Sequence, residues 1–459
     1  MLFIMTGVMV IDDNHHGKRD HARPFHKPGR VMLAEALNAR LARRGIHYGW
    51  VMVALTFLVS LSSAGAMGIL GALLLPLQRE TGWETATISG ALALRLLLFG
   101  LMAPFAAAIL ARYGLARTIA AALALVVLGC LLSMGMTQAW QLWLFWGVMT
   151  GLGTGMTALV LGATVANRWF VQRRGLVLGM LTAANATGQL AFLPLAAWLA
   201  TNQGWRVAMA PGLTVCAVAA VLALLLMRDR PSDLGLTAYG EAPGTAPVPA
   251  AAAGNPIRNA LGALGGASRE PIFWILFASF AICGISTAGI IQTHFIPLCV
   301  DFGMAEVEAA SVLAMMGAFD FVGTIASGWL SDRYDSRKLL FWYYGLRGLS
   351  LLFLPMSTFS LYGLSIFAVF YGLDWIATVP PTVKLAGQAF GRERAPMVFG
   401  WIFTGHQLGA AAAALGAGLS RDAFATYLPA FYIAGAACLV AALLVLGARP
   451  RPAVKPAAA

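Results

Sequence analysis

Long uncharged apolar stretches constrain this chain more than any other feature of its sequence. The stretches 119–166 and 207–227 contain no Asp, Glu, Lys or Arg. A helix of about 20 apolar residues crosses the hydrocarbon core of a bilayer, so the first stretch is long enough for two crossings. Charged residues make up only 11% of the chain, whereas soluble domains carry roughly 25%. The composition therefore predicts an integral membrane protein.

The apolar segments fall into two sets of six, separated by a long loop rich in Pro, Gly and Ala. We predict spans at 48–76, 86–111, 116–136, 140–166, 174–200, 205–227, 272–299, 306–331, 338–357, 359–385, 395–419 and 424–447. Lipid offers no hydrogen bonds to an open backbone, so every span is expected to be helical. The expected fold is all-α, with twelve transmembrane helices in two pseudo-symmetric six-helix bundles. Its predicted parts are a tail (1–45), an N-terminal bundle (46–227), a linker (228–270), a C-terminal bundle (271–448) and a second tail (449–459).

A short basic turn follows an apolar helix in each half. Arg112 and Tyr113 in the first copy correspond to Arg333 and Tyr334 in the second. Repetition of this kind indicates an internal duplication. In a membrane protein, duplication favours a transporter whose site lies between the two halves.

The positions of the positive charges predict the orientation. Lys and Arg concentrate in the tails and in alternate loops, and the opposite loops carry only Arg79, Arg206 and Arg421. Positive loops stay on the cytoplasmic side, so both termini are expected there, in a cell (inner) membrane. The net charge of +12 is thus accounted for by membrane orientation, and a nucleic-acid partner is not expected.

Motifs for other functions are missing from the sequence. The five cysteines form no CxxC pair and lie in or beside apolar runs, which is typical of small buried hydrophobes. The sequence has no Walker phosphate loop, no metal-ligand cluster and no nucleophile motif. We therefore expect no enzyme activity, no metal and no cofactor, with a proton gradient as the energy source.

The second basic turn resembles the signature loop of the major facilitator superfamily. It matches through Gly328, Asp332, Arg333, Arg337 and Lys338, and the resemblance covers about residues 47–448. In the first copy, alanines replace the glycine and the acid of the motif. The resemblance implies two six-helix bundles that alternate access to a central substrate site.

A finer resemblance is to bacterial relatives of the monocarboxylate porters. It is carried by Tyr48-Gly49-Trp50, Arg112-Tyr113-Gly114, Trp169-Phe170, Arg173-Arg174-Gly175 and Gly204-Trp205-Arg206. The resemblance implies an eighth-span Asp that takes a proton and an Arg one turn later that binds the carboxylate. Asp320 matches the acid, but Thr324 stands at the Arg position. The first-span lysine of that family is also missing, so two expected anion ligands are absent.

Ionisable residues inside spans are expensive and usually functional. Arg95 is the leading candidate for an anion ligand, because its planar fork suits a carboxylate. The alternative is a gate pair between Arg95 and Asp320 or Asp374. Asp320 and Asp374 are candidate proton carriers, and for each the alternative is a static pair with Arg347.

Three further polar residues complete the predicted substrate and proton pathway. Histidine side chains titrate near neutral pH, so His406 fits proton coupling or hydrogen bonding to an anion, and the alternative is a satisfied core histidine. Asn185 and Gln189 lie one turn apart on one face of the fifth span. They are expected either to bind polar groups of the substrate or to bridge helices.

Four residues of the basic turns are predicted to form a conformational gate: Arg112, Asp332, Arg333 and Arg337. An acid–arginine contact at these helix junctions ties the halves together in one state and breaks in the other. Pro380-Pro381 is expected to kink the tenth span.

Three functions are compatible with these features. The leading hypothesis is proton-coupled transport of a small organic anion, such as a monocarboxylate, by a monomer that alternates access. The second is proton-driven export of a hydrophobic or cationic compound. The third is a membrane sensor that transports nothing.

Overall fold

The computed structural model describes residues 28–157, 159–241 and 256–449, which form twelve span-length helical segments. The N-terminal half comprises α1 (Gly49–Ala72), α2 (Thr85–Tyr113), α3 (Leu115–Ser133), α4 (Ala139–Trp169), α5 (174–203) and α6 (Trp205–Leu226). The C-terminal half comprises α7 (Pro271–Asp301), α8 (Glu306–Arg333), α9 (Ser336–Met356), α10 (Ser365–Gly391), α11 (392–424) and α12 (Leu428–Leu446). The predicted all-α membrane fold is confirmed.

Helices α5 and α11 are less apolar than the others. Ten segments of the described chain are long and apolar enough to cross a membrane on composition alone, and these two are not among them. Helix α5 contacts α8, and α11 contacts α2, so both pack against the opposite half. A helix that faces another bundle does not need an apolar surface all round, and α11 accordingly carries His406 and Gln407.

Helix α10 is broken near its middle. Its first part ends at Asp374, residues 375–378 form turns, and the helix resumes at Val379. Pro380 has no N–H, and its ring excludes the carbonyl of Ile376 from a helical hydrogen bond. The break therefore lies just before the predicted kink at Pro380-Pro381. It leaves backbone groups free inside the bundle, where side chains of other helices bind them.

Helix α7 is also irregular near its middle, because Ile285–Ile291 forms a π-helical segment. The helix also lies very close to α11. A Cβ atom on Gly284 would overlap the carbonyl of His406, and a Cβ atom on Gly409 would overlap that of Ala281. Glycine at these two positions allows the backbones to touch, and π-helical turns of this kind often occur at functional sites.

The predicted tail and linker contain more structure than their composition indicated. Pro28–Ala42 is a helix that buries Ala34. In the linker, Tyr239 pairs with Phe170 and Pro256–Ala267 is helical. The Pro, Gly and Ala content of 228–270 is typical of a flexible segment without a core, and the structure differs from that expectation at both ends. Tyr239 packs against aromatic rings of the first bundle, and Ala260 and Ala267 are buried. The remaining tail residues and the middle of the linker lie outside the described residues.

The linker also supplies a carboxylate beside the first basic turn. Asp229 Oδ1 accepts the backbone N–H of Leu115 at 2.5 Å, at the N-terminus of α3. Gly114 adopts φ +83°, and a Cβ atom there would lie 2.6 Å from the Asp229 carboxylate. In the second turn, Asp335 caps α9 by accepting the N–H of Arg337. The two halves thus place a carboxylate at equivalent helix starts by different routes.

Candidate substrate site between the halves

A cavity of about 90 Å³ lies between the two halves. The N-terminal half contributes Met67, Phe99 and Thr182. The C-terminal half contributes Phe280, Cys283, Thr287, Ala288 and Gln292 from α7, Trp375, Ile376, Thr378 and Val379 from α10, and Phe399, Phe403, His406 and Gln407 from α11. A water molecule needs roughly 10–15 Å³ of such space, so the cavity suits a ligand of a few heavy atoms.

His406 is a polar group in a wall of aromatic rings. Its ring lies 5.0 Å from that of Phe280 and stacks on that of Phe403 at 5.7 Å, centroid to centroid. Its Nε2 atom lies 3.4 Å from Thr287 Oγ1. Its Nδ1 atom is buried and has no hydrogen-bond partner among the described residues. His406 therefore retains an unused hydrogen-bonding position within the cavity wall.

An ion pair lies behind the cavity, within the C-terminal half. Arg347 is 1% exposed, and its Nε lies 2.6 Å from Asp374 Oδ2. Its Nη2 atom donates to the carbonyls of both Asp374 and Trp375, at the break in α10. Asp374 Oδ1 is buried without a partner among the described groups. Arg347 therefore stabilises the break, while one oxygen of the Asp374 carboxylate remains available as a hydrogen-bond acceptor.

Cys283 links this ion pair to the cavity. Arg347 Nη1 donates to Cys283 Sγ at 3.0 Å, and the Thr378 hydroxyl lies 3.3 Å from the same sulfur atom. The sequence indicated a small buried hydrophobe at this position. The structure confirms the burial but places the thiol in a polar network. The apolar run around Cys283 gave no signal of this, because its partners come from α9 and α10.

Asp320 also binds the break in α10. The residue is 2% exposed, and its Oδ1 accepts the N–H of Ile376 at 2.9 Å and the hydroxyl of Thr324 at 3.0 Å. It takes part in no ion pair within the described chain. Thr324, which stands where the resemblance led us to expect an Arg, is thus a hydrogen-bond donor to the acid.

Arg95 is buried in the N-terminal half, one layer behind the cavity wall. It is 2% exposed, and its Nη1 donates to the carbonyl of Met67 at 2.5 Å. Its Nε is buried without a partner, and no carboxylate in the described part of the chain pairs with it. Met67 and Phe99, which lies one turn from Arg95, both line the cavity. The alternative gate pair with Asp320 or Asp374 is absent from this conformation.

The fifth span contributes Thr182 to the cavity. Asn185 and Gln189 belong to the same helix, Arg174–Ala191. Their side chains lie outside the described residues, so their predicted role as substrate ligands or helix bridges stays a prediction.

The predicted gate residues lie at one end of the bundle, which we call the basic end. Arg333 stacks over Trp329, 4.1 Å from guanidinium carbon to ring centroid, and Arg112 lies 5.5 Å from the ring of Tyr113. Arg337 pairs with Asp335 at 2.6 Å. These contacts are local, and no ion pair among the described residues joins the two halves at this end.

The opposite end behaves differently, because polar contacts there join the two halves. Arg79 Nη1 lies 2.5 Å from Glu306 Oε1. Asp422, near the end of α11, accepts the N–H groups of Thr85 at 3.2 Å and Ala86 at 2.7 Å. A carboxylate from one half thus caps the N-terminus of α2 in the other half, where the helix dipole favours negative charge.

Comparison with known proteins agrees with this architecture. The family model described as Major Facilitator Superfamily matches residues 55–414. The chain belongs to the major facilitator superfamily. Its fold is similar to that of a bacterial homologue of the human lysosomal transporter Spinster, solved in an inward-facing, unoccupied conformation. The TM-score is 0.65 at 15% identity, over 87% of this chain and 95% of that chain.

Curated relatives of this superfamily member include two groups of transporters. Monocarboxylate transporter 13 of Rattus norvegicus is 26% identical over 393 residues, which cover 85% of this chain and 86% of that protein. An uncharacterized MFS-type transporter of Bacillus subtilis is 26% identical over 289 residues, 62% of this chain and 66% of that protein. The family and these relatives are transporters, so the chain is a multi-pass membrane transporter with a small-molecule substrate.

Proposed function

We propose that this transporter carries a small organic anion, such as a monocarboxylate, together with a proton, by alternating access in the cell membrane. The single observation that carries the proposal is Arg95. A buried cation without a counter-ion is strongly destabilising, and Arg does not lose its proton under such conditions. A site that keeps such a cation beside a small cavity is suited to an anionic ligand that completes the pair.

The two halves divide the chemistry in this proposal. In the N-terminal half, Arg95 offers a fixed fork that matches a carboxylate. In the C-terminal half, Asp320 and the unused oxygen of Asp374 offer positions for a proton. The relatives named monocarboxylate transporters support the substrate class. The cavity of about 90 Å³ supports a substrate of few atoms.

Asp320 is the proton carrier that the structure allows us to test most sharply. Asp320→Asn keeps an oxygen that accepts from Ile376 and Thr324 but cannot ionise. We expect the variant to fold, and to lose at least about tenfold in substrate-driven proton uptake, because proton transfer by a placed group contributes roughly 10²–10⁴-fold. Proteoliposomes with a pH-sensitive dye inside and labelled lactate or acetate outside measure both fluxes.

Glu308→Gln is the matched control, because it removes a carboxylate from an exposed position of the same helix, α8. It is expected to leave both fluxes unchanged. Proton uptake that survives Asp320→Asn at the wild-type rate would show that Asp320 carries no proton. Carboxylate uptake that ignores the pH gradient in the wild type would instead overturn proton coupling itself.

For alternating access, we propose that the basic end is cytoplasmic and that this conformation is closed toward the outside. Two observations support the assignment. Lys and Arg are concentrated at the basic end, as expected for cytoplasmic loops. The contacts of Glu306 and Asp422 join the halves at the opposite end.

Weakening the Asp422 contact is expected to favour opening toward the outside. Asp422→Asn keeps one acceptor oxygen but loses the second acceptor and the negative charge at the helix N-terminus, a loss of up to about 1 kcal/mol that changes a two-state equilibrium by up to about fivefold. Ser89 is fully buried beside Gly418 at this end, so Ser89→Cys reports opening through its reaction with an impermeant thiol reagent. We expect Asp422→Asn to raise that rate by up to about fivefold.

Asp301→Asn provides the control for this measurement. Asp301 pairs with Arg421, which belongs to the same half, so its loss breaks no contact between the halves. Equal labelling rates in Asp422→Asn and in the parent Ser89→Cys protein would contradict the role of Asp422 as a closing contact.

A second candidate function, export of a hydrophobic or cationic compound, is supported by the aromatic cavity wall. Phe99, Phe280, Phe403 and Trp375 line the cavity, and aromatic faces attract cations. The free oxygen of Asp374 is a matching acid. Uptake of a labelled organic cation by inverted vesicles, dependent on Asp374 and independent of Arg95, would favour this function over anion transport.

A further inference from the structure

A second cavity, of about 460 Å³, lies at the basic end within the C-terminal half. It is separate from the seam between the halves and shares no lining residue with the first cavity. Its walls are Tyr334, Asp335, Ser336, Arg337, Lys384, Leu385, Gln388 and Arg449. Three cations face one carboxylate in this set. The size is within the range of small-molecule sites, roughly 300–1,000 Å³.

The three cations retain unused hydrogen-bond donors. Arg337 binds Asp335 through Nε and one terminal nitrogen, at 3.1 and 2.6 Å, and its other terminal nitrogen has no hydrogen-bond partner within the described part of the chain. Lys384 donates to the carbonyl of Ser331 and has two donors left. For the guanidinium of Arg449, the described residues provide no hydrogen-bond partner.

A buried hydroxyl adds a further unsatisfied group. Ser336 lines the cavity, is 4% exposed, and its Oγ has no hydrogen-bond partner among the described residues. It is also the first residue of α9, whose α-helical part, Ser336–Phe353, runs for 18 residues. The N-terminus of a helix of this length favours negative charge. A positively charged cavity with an unused hydroxyl beside such an N-terminus is suited to an anion.

The carboxylate in the wall does not cancel this charge. The hydrogen bond from Arg337 lowers the pKa of Asp335, so that acid stays ionised near neutral pH and holds Arg337 in place. One acid balances one of the three cations, and Lys384 and Arg449 remain uncompensated in the wall. An anion that carries one to two negative charges fits that remainder.

The cavity also lies beside exposed aromatic side chains. Trp329, Tyr334 and Trp342 are 54%, 58% and 60% exposed and flank the turn between α8 and α9. Exposed Trp and Tyr residues of a membrane protein concentrate at the level of the lipid headgroups. The cavity is therefore placed at the depth where phosphate groups of lipids lie.

We propose that this cavity binds a phosphate group, carried either by the headgroup of an anionic phospholipid or by the free phosphate ion. Lys and Arg together with a helix N-terminus are the groups that proteins use to hold phosphate. A bound phosphate bridges the second basic turn, α10 and the end of α12. These three elements then move together while the phosphate is present. The proposal concerns binding alone and does not depend on which substrate the transporter carries.

Binding to the purified full-length protein tests the proposal in two arms. Native mass spectrometry counts bound phosphatidylglycerol, with phosphatidylcholine as the neutral comparison. The thermal unfolding midpoint, measured against inorganic phosphate, reports the free ion. We expect Lys384→Gln and Arg449→Gln each to weaken binding in at least one arm by roughly three- to tenfold, since each removes a charge-assisted hydrogen bond. Arg449→Lys is expected to retain most of the affinity.

Arg117→Gln is the matched control, because it removes an exposed cation at the basic end of the other half, outside this cavity. It is expected to change neither arm. Loss in the lipid arm alone identifies a headgroup site, and loss in the phosphate arm alone identifies an ion site. The proposal is overturned if neither ligand binds the wild type, or if Arg117→Gln weakens binding as much as the cavity variants do.

Discussion

Replacing Arg95 with methionine is expected to abolish carboxylate transport and to raise the stability of the empty protein. Arg95 is fully buried, and no carboxylate of the described chain pairs with it. Its hydrogen bond to Met67 reaches a carbonyl inside α1 that the helix itself already uses. Removing an uncompensated charge therefore gains more than the lost bond, by about 1–2 kcal/mol net.

The same variant is expected to lose affinity for the carboxylate although it gains stability. A charge-assisted hydrogen bond is worth roughly 1.5–3 kcal/mol, so the affinity for the carboxylate is expected to fall at least about tenfold. Thermal unfolding of the purified variant and counterflow in proteoliposomes measure the two effects. Arg95→Lys is the control, since it keeps the charge and loses the fork, and it should retain part of the transport.

An Arg95→Met variant that unfolds at a lower temperature than the wild type and still transports would contradict this account. In that case Arg95 would be a structural residue that braces α1 against α2. A variant that is more stable and inactive would separate a ligand residue from a packing residue, because packing residues lose stability when they are truncated.

Replacing Arg347, in contrast, is expected to lower the stability of the protein. Arg347→Met leaves the Asp374 carboxylate buried without its partner and frees two carbonyls at the break in α10. Removal of one member of a buried pair costs roughly 3–5 kcal/mol. We therefore expect a large fall in the unfolding temperature, and a reduced yield of monodisperse protein.

The double variant Arg347→Met with Asp374→Leu keeps this prediction testable if the single variant does not fold. Replacement of both charges by apolar groups is expected to restore most of the lost stability. Arg421→Met is a matched control, because its pair with Asp301 is about one-third exposed and contributes less than about 1 kcal/mol. A single variant as stable as the wild type would refute the bracing role of Arg347.

The double variant also addresses proton coupling, since it removes one of the two candidate carriers. Proton-driven transport that continues in the double variant would assign the proton to Asp320 alone. Transport that continues without any response to pH would point to Asp374. Asp320 accepts the N–H of Ile376, and Arg347, the partner of Asp374, donates to the carbonyl of Trp375. Both acids are therefore linked to the unwound segment of α10, and a change in either one reaches the cavity wall.

The length of the apolar stretches located the spans because a bilayer leaves a chain few choices. The predicted boundaries of the first and eighth spans, 48–76 and 306–331, lie within a few residues of α1 and α8. The same reasoning underestimated the linker. Its Pro, Gly and Ala content is typical of a flexible segment, but Tyr239 packs against an aromatic cluster that only the folded N-terminal half presents.

The candidate site was accessible to sequence reasoning only in part. Charged residues within apolar runs stand out, so Arg95, Asp320 and Asp374 were evident without a structure. Cys283 was not, because a thiol in an apolar run looks like any buried hydrophobe. Its polar role follows from Arg347 on α9 and Thr378 on α10.

The sequence by itself determined the class of protein, the number of helices and the residues that carry charge into the membrane. Apolar length and charge are local properties, and the bilayer converts them directly into topology. Only the tertiary structure decided how those charges are paired. From the sequence alone, Arg347 could pair with either Asp320 or Asp374. It binds Asp374 because the break in α10 brings that carboxylate and two carbonyls to one guanidinium. Arg95 has no acidic partner among the described residues, because both acids lie in the other half and bind at the break in α10.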